Sequence, residues 1–372
     1  MTDMPTALPT TGPIDNVLVL RALMLGDMLC ATPALRALRA ALPGARISLV
    51  GLPWARELAE RLPSVDEFIE FPGWPGLPER TAADAGARQQ FIEGLRRRPF
   101  DLAVQLHGSG AIVNPLVSSV GARHTTGFNH AEGWTPAADA ALFADWPETG
   151  TEVERLLALT DHLGLPRRGL QLDFPLRDAD RDGAAALCRG LGERPLAIVH
   201  AGAQLPSRRW PLERFGEVAD ALAEAGLAVV LTGSAAEREL VDELARQLQK
   251  PALNLVGSTS LWTLGALVER ARVVVCNDTG ISHLAAALGT RSVVVASGGD
   301  VARWAPADTR RHAVLWHDTP CRPCAHLHCP IGHPCALGVA VADVRAAALR
   351  AADVATSGVA TPFARPPVSA VA

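Results

Sequence analysis

The chain is short of several things, and each shortage narrows what it does. It has a single lysine, Lys250, so nearly all of its positive charge is arginine. Wherever a cation is needed it is a planar fork suited to phosphate. Basic charge is not in excess: 35 Lys and Arg stand against 39 Asp and Glu, a formal net charge of −4. Non-specific nucleic-acid binding relies on a strongly basic surface, so no nucleic-acid partner is expected. No apolar run reaches the roughly 18–20 residues that a membrane-spanning helix requires. Residues 1–13 are polar and rich in Thr and Pro, without the basic and apolar blocks of a signal peptide, which makes the cytoplasm the default localisation. The seven cysteines do not form a disulfide framework, because four of them are bunched between 321 and 335. There is no Walker A pattern and no G-x-G-x-x-G, which weakens a nicotinamide-dinucleotide reading.

What is present is a long globular composition, 48% apolar and 20% charged over 372 residues, enough for two domains with separate cores. Apolar strands alternate with helical periodicities. Strands are expected at 16–20, 46–51, 65–71, 101–106 and 124–128, with helices at 28–42, 83–98 and 151–163. The pattern restarts with strands at 196–200, 227–231, 252–256, 272–276 and 292–296, separated by helices at 212–225, 235–249, 260–270 and 281–288. This alternation predicts an α/β chain of two doubly wound, Rossmann-like domains, with ligands at the carboxyl ends of the strands. The expected division is a disordered leader at 1–15, a first domain at 16–170, a linker region at 171–190, a second domain at 191–345 and a helix end with flexible tail at 346–372.

Four small-residue turns follow predicted strands: Leu25-Gly26-Asp27, His200-Ala201-Gly202-Ala203, Leu231-Thr232-Gly233-Ser234 and Asn277-Asp278-Thr279-Gly280. The last leads through Ile281, Ser282 and His283 into an apolar helix, whose first N–H groups and dipole favour an anion. A tight connection capped by Asp278 or Thr279 is the plainer alternative. Arg208 and Arg209, just ahead of Trp210-Pro211, are placed to neutralise a diphosphate, or to form a solvated basic loop. Glu237 is either a ribose-binding carboxylate or an acid favoured by the first helical turn. Asp27 is either a general base for a bound hydroxyl or an N-cap. Cys321, Cys324, Cys329 and Cys335, interleaved with His326, His328 and His333, could hold a structural zinc ion, although the spacing is not that of a standard finger.

Taken together, these blocks resemble glycosyltransferase family 9, the ADP-heptose:lipopolysaccharide heptosyltransferases. The resemblance runs over about residues 16–344. Its blocks are N-V-L-V-L-R-A-L-M-L-G-D with a following T-P, H-A-G-A-Q-L-P-S-R-R-W-P-L-E-R-F, V-V-L-T-G-S-A-A-E, and C-N-D-T-G-I-S-H-L-A-A-A-L-G-T, with the Cys-rich block behind them. The resemblance implies a GT-B fold, two Rossmann-like domains facing across a cleft, the first for the acceptor and the second for the nucleotide sugar. By position, Asp27 looks like the family's catalytic base. Arg208 or Arg209 falls at a phosphate-binding lysine, Glu237 at the ribose-binding acid, and Asp278, Thr279, Gly280 and His283 on the nucleotide turn. Gly202 and Ala203 stand where hydroxyl-bearing threonines occur in other members, which leaves backbone donors only.

The implied activity is inverting transfer of heptose from ADP-heptose to a lipopolysaccharide-core or other lipid-linked glycan acceptor, without an essential cofactor. Such an acceptor implies work at the inner face of the cytoplasmic membrane, where loops bearing Trp54, Trp74 and Trp134 could make peripheral contact. His107, Ser109 and Asn114 are placed toward the acceptor by strand end alone. The alternatives are a GT-B transferase or epimerase using another nucleotide sugar, and a non-catalytic nucleotide-sugar-binding protein.

Overall fold

The computed structural model describes residues 8, 12–130 and 133–353. Most of the leader expected at 1–15, and the tail beyond residue 353, lie outside the described residues. The chain divides into two compact units between Pro175 and Leu176.

The first unit holds strands β1 (Asn16–Leu20), β2 (Arg46–Gly51), β3 (Glu67–Glu70), β4 (Leu102–Gln105), β5 (His124–Asn129) and β6 (Phe143–Asp145) in the order 3-2-1-4-5-6. Every pairing is parallel. The second unit repeats the design with β7 (Leu196–His200), β8 (Ala228–Leu231), β9 (Ala252–Asn254), β10 (Ala271–Asn277), β11 (Ser292–Val295) and β12 (His312–Leu315), in the order 12-11-10-7-8-9 and again all parallel. Read from its other edge this is the same order. The continuous apolar runs of β1 and β10 follow from burial on both faces, as parallel strands require. In each unit the strand order reverses between the first strand and the fourth. Ligands bind such folds at that switch point, outside the carboxyl ends. The crevice therefore falls between β1 and β4 in the first unit, and between β7 and β10 in the second.

The helix Leu25–Ala41 starts three residues earlier than its periodicity predicts. Its N-cap is Met24, without a side-chain cap, so Asp27 sits in the first turn and is not the N-cap. Pro33 lies inside this helix, where it has no N–H to offer the carbonyl one turn back. The Thr32 hydroxyl donates to that carbonyl, Leu29 O, at 2.8 Å, and accepts from the Asp173 backbone N–H at 2.8 Å. The adjacent Thr and Pro thus repair the helix and pin the segment before Pro175 onto it. Arg36 adds an ion pair to Asp173 at 2.5 Å and a bond to Gln171 O at 2.7 Å.

The core of the second unit surrounds Trp210, Phe215, Leu222, Leu244 and the inward faces of β7, β8, β10 and β11. At its edge, His312 is 4% exposed, and its Nδ1 meets the Ser292 hydroxyl at 2.9 Å. Burial pushes this imidazole down to about 4, against the pull of Asp308. Burial also lowers His200. An unfolded histidine titrates near 6.5, so the unfolded chain takes up more protons between that pH and 4. The stability conferred by keeping the His312 ring neutral is present above about pH 6.5 and is lost as pH falls toward 4. Denaturant midpoints measured across this window should show His312 contributing roughly 2–3 kcal/mol of acid destabilisation, and His312→Gln should flatten the slope.

Candidate functional site

The site in the second unit is built from four connections at the carboxyl edge of its sheet. Asn277, the last residue of β10, is fully buried. Its Oδ1 accepts from the Trp210 backbone N–H at 2.9 Å. Its Nδ2 donates to Ala201 O at 2.8 Å and Gly202 O at 3.2 Å. One side chain therefore ties both ends of the connection after β7, which carries both arginines, to the turn after β10.

Thr279 is the N-cap of the nine-residue helix Gly280–Leu288, yet its side chain makes no capping bond. Its Oγ1 is buried without a hydrogen-bond partner. Thr279 thus holds the N-cap position of the plainer alternative without capping through its side chain. The Ser297 hydroxyl, in the next connection after β11, is likewise buried and unpartnered, as is Arg208 Nε. Buried polar groups are nearly always satisfied. Three unsatisfied atoms on the connections at one sheet edge, beside a helix N-terminus, mark a place for a hydrogen-bonding anion.

The two arginines have separate tasks. Arg209 Nε donates to Ala203 O at 2.9 Å and braces its own loop. Arg208 Nη2 donates to Cys324 O at 3.0 Å, and its Nη1 approaches Gly299. A Cβ at Gly299 would stand 2.3 Å from Asp278 Oδ2 and 3.8 Å from Arg208 Nη1, so these two groups share the space over that glycine. Burial raises the Asp278 carboxyl, opposed by His283, Arg208 and Arg322. His283 is buried and stacks edge-on against Trp304 at 6.1 Å between ring centres.

Glu237 sits in the first helical turn, as one of its two readings expects. Its Oε2 takes the Ser234 N–H and hydroxyl, each at 2.8 Å, in a capping box. Its Oε1 lies over Gly202, 1.9 Å from where a Cβ would be. Only glycine leaves room for that oxygen. The neighbouring His200 ring meets Thr232 Oγ1 at 3.1 Å.

Arg322 and the connection at 297–300 were not singled out from sequence. Arg322 donates to Ala296 O at 2.9 Å and Gly299 O at 2.7 Å, bracing that connection. The signal for the connection was present: Ser297-Gly298-Gly299-Asp300 follows an apolar strand just as the four recognised turns do. Arg322 gave no such signal, because it lies inside the Cys-rich block.

The zinc expectation is corrected. Among the described residues, no three His, Cys, Asp or Glu side chains are arranged to hold a metal ion. The four thiols are free and differ in setting: Cys324 and Cys335 are buried, Cys329 is partly exposed and Cys321 is exposed. Two of the candidate ligands have main-chain partners. Cys329 Sγ accepts from the His333 N–H at 3.1 Å, and His333 Nε2 meets Ser207 O at 2.7 Å, while His326 and His328 are exposed.

In the first unit, Arg21 and Glu152 form a buried ion pair at 3.2 Å. Arg21 also donates to Asp27 O at 2.8 Å and to Leu106 O, so it joins the β1 end, the Asp27 turn and the β4 end. His107 Nδ1 accepts from the Ala22 N–H at 3.1 Å, and its Nε2 lies 3.8 Å from Glu79. Burial acts to raise Glu79, but its bond to His107 leaves the carboxyl below its ordinary value. Asn114 proves to be a brace, buried and donating to Phe128 O at 2.9 Å and Trp134 O at 3.2 Å. Trp54 and Trp74 pack on the core, whereas Trp134 is 51% exposed. A cavity of about 300 Å³ lined by Arg36, Ser64, Leu172 and Phe174 contains none of the predicted site residues.

Comparison with known proteins matches residues 88–334 to the model of glycosyltransferase family 9 (heptosyltransferase). The chain belongs to glycosyltransferase family 9. Lipopolysaccharide heptosyltransferase 2 of Salmonella typhimurium is 31% identical over 289 residues, covering 73% of this chain and 80% of that protein. Its namesake from Escherichia coli K12 is 30% identical over 295 residues, with the same coverage. The solved structure of E. coli ADP-heptose LPS heptosyltransferase II aligns with a TM-score of 0.68 at 24% identity, over 90% of this chain and 99% of that one. Two doubly wound units of this kind are the GT-B class, and this family 9 member is a glycosyltransferase. Among the described residues, no helix is long and apolar enough to cross a membrane.

Gly202→Ala offers a narrow test of the Glu237 geometry. The added methyl group must break the capping box or push Glu237 out of the site. Titration calorimetry should show ADP binding weakened about tenfold, the size of one lost charge-assisted hydrogen bond, with the melting temperature little changed.

Proposed function

We propose that this glycosyltransferase moves heptose from ADP-heptose to a lipopolysaccharide-core or related lipid-linked glycan, with inversion. The second unit takes the donor and the first takes the acceptor. The observation that carries the donor half is the trio of unsatisfied polar atoms, Arg208 Nε, Thr279 Oγ1 and Ser297 Oγ, beside the open N-terminus of the helix Gly280–Leu288. The names of the relatives support the choice of sugar and acceptor.

The steps follow from the chemistry. Glu237 Oε1 accepts from ribose hydroxyls over Gly202. The diphosphate lies against the Thr279–Gly280 N–H groups, with Arg208 supplying fixed positive charge and His283 behind Asp278. Asp27 takes the proton from the acceptor hydroxyl, which attacks the anomeric carbon on the face opposite the diphosphate. The anomeric C–O bond to ADP breaks, and ADP leaves with its developing charge held by preorganised donors. Arginine and main-chain dipoles supply this field, so the reading requires no cofactor for the transfer. A lipid-linked acceptor places the enzyme at the inner face of the cytoplasmic membrane. Trp134, exposed in the first unit, is the aromatic side chain available for that contact.

The test combines two variants with ADP release measured in the presence and absence of acceptor. Asp27→Asn should lose about 10²–10⁴-fold in transfer, the usual weight of a general base, while binding ADP-heptose within about twofold of wild type. Arg208→Ala should weaken ADP binding about tenfold or more, as expected for a charged contact to phosphate. Near-normal transfer by Asp27→Asn would remove Asp27 from the mechanism, and unchanged ADP affinity in Arg208→Ala would remove the donor site as drawn.

A further inference from the structure

The Cys- and His-rich segment, conspicuous in the sequence, is closely engaged with the donor side of the second unit. Ser207 is 2% exposed and is held from three directions. Its N–H donates to Leu327 O at 3.1 Å, its hydroxyl donates to His326 O, and its carbonyl meets His333 Nε2 at 2.7 Å. A carbonyl only accepts, so the imidazole carries its proton on Nε2. The next residue is Arg208, whose Nη2 donates to Cys324 O at 3.0 Å. The segment is anchored in turn on the 297–300 connection, through Cys324 N–H to Gly298 O at 2.8 Å and through Arg322 to Ala296 O and Gly299 O. His333 achieves its reach in a costly way. It adopts φ +62°, ψ +42°, a left-handed conformation that few non-glycine residues take. Strain of this kind persists where surrounding structure enforces it, and it gathers at working sites.

We infer that residues 321–335 form a buttress that aims Arg208 at the diphosphate turn, with His333 as its positioning residue. The inference rests on the donor-site reading above. His333 fixes the Ser207 carbonyl, the peptide Ser207–Arg208 is thereby set, and the Cys324 carbonyl takes one arm of the guanidinium. Arg208 Nε, buried and unpartnered, remains without a protein acceptor. His333 itself touches no reacting atom, so it acts on donor affinity through Arg208.

The experiment is a double-mutant cycle read by calorimetric titration of ADP into the full chain, with thermal melting to confirm folding. His333→Asn suits the purpose, because Asn tolerates left-handed backbone but is too short to reach Ser207 O. It should weaken ADP binding about five- to tenfold, the range of one buried hydrogen bond. His333→Gln, whose amide nitrogen reaches the position of Nε2, should restore most of the affinity. In an Arg208→Ala background, His333→Asn should cause no further loss, since its effect passes through the missing guanidinium. Ser207→Ala, which removes only the bond to His326 O, should act in the same direction as His333→Asn and serves if that variant fails to fold. Wild-type affinity in His333→Asn, or losses that add to those of Arg208→Ala, would overturn the buttress while leaving the donor site standing. Unchanged affinity in Arg208→Ala alone would overturn both.

Discussion

The buried amide of Asn277 is the constraint on which the carboxyl edge of the second sheet depends. Parallel strands end at a common edge, but nothing in a sheet dictates where the loops beyond that edge will lie. Asn277 settles the question for two of them, its own turn and the connection after β7, accepting from Trp210 N–H and donating to Ala201 and Gly202 carbonyls. The side chain is fully buried, so its hydrogen bonds have no competition from water, and losing them would leave main-chain groups stranded. Trp210 repeats the arrangement one layer down, with its Nε1 donating to Val339 O at 3.2 Å and its ring edge-on to Phe215. The turn after β10 therefore stands on a polar joint backed by an aromatic core.

The first unit reaches the same end with a charge in place of an amide. Arg21 is buried beside Glu152, and its remaining donors go to the carbonyls of Asp27 and Leu106. A buried ion pair is a poor source of net stability, since desolvation offsets much of the attraction. Its value here is geometric: a rigid fork ties the turn that carries Asp27 to the ends of β1 and β4, at that sheet's switch point. Thr32 and Pro33 extend the same control down the helix to the segment before Pro175. In both units, residues that perform no chemistry specify where the chemistry can occur.

Much of this was open to sequence reading, because parallel strands buried on both faces announce themselves as apolar runs and each ends in a turn of small residues. Those turns, ordered along the chain, carried the family resemblance as well. What stayed hidden depended on direction. Arg208 and Arg209 are adjacent and chemically equal in sequence, and only their partners, Cys324 O for one and Ala203 O for the other, set them apart. The early start of the helix Leu25–Ala41 was missed because Met24 gives no capping signal. The Cys-rich block misled for a related reason. Spacing shows that thiols are close along the chain, but not that Cys329 Sγ accepts from the His333 N–H or that His333 Nε2 turns to Ser207 O.

The central claim is that the joint at Asn277 shapes the nucleotide site. Calorimetric titration of ADP into Asn277→Ala, at a temperature where melting shows the variant folded, tests it directly. Loss of the three-way tether should weaken ADP binding at least tenfold and lower the unfolding free energy by roughly 2–4 kcal/mol, the cost of leaving buried main-chain groups unpaired. A folded Asn277→Ala protein that binds ADP as tightly as wild type would contradict the account.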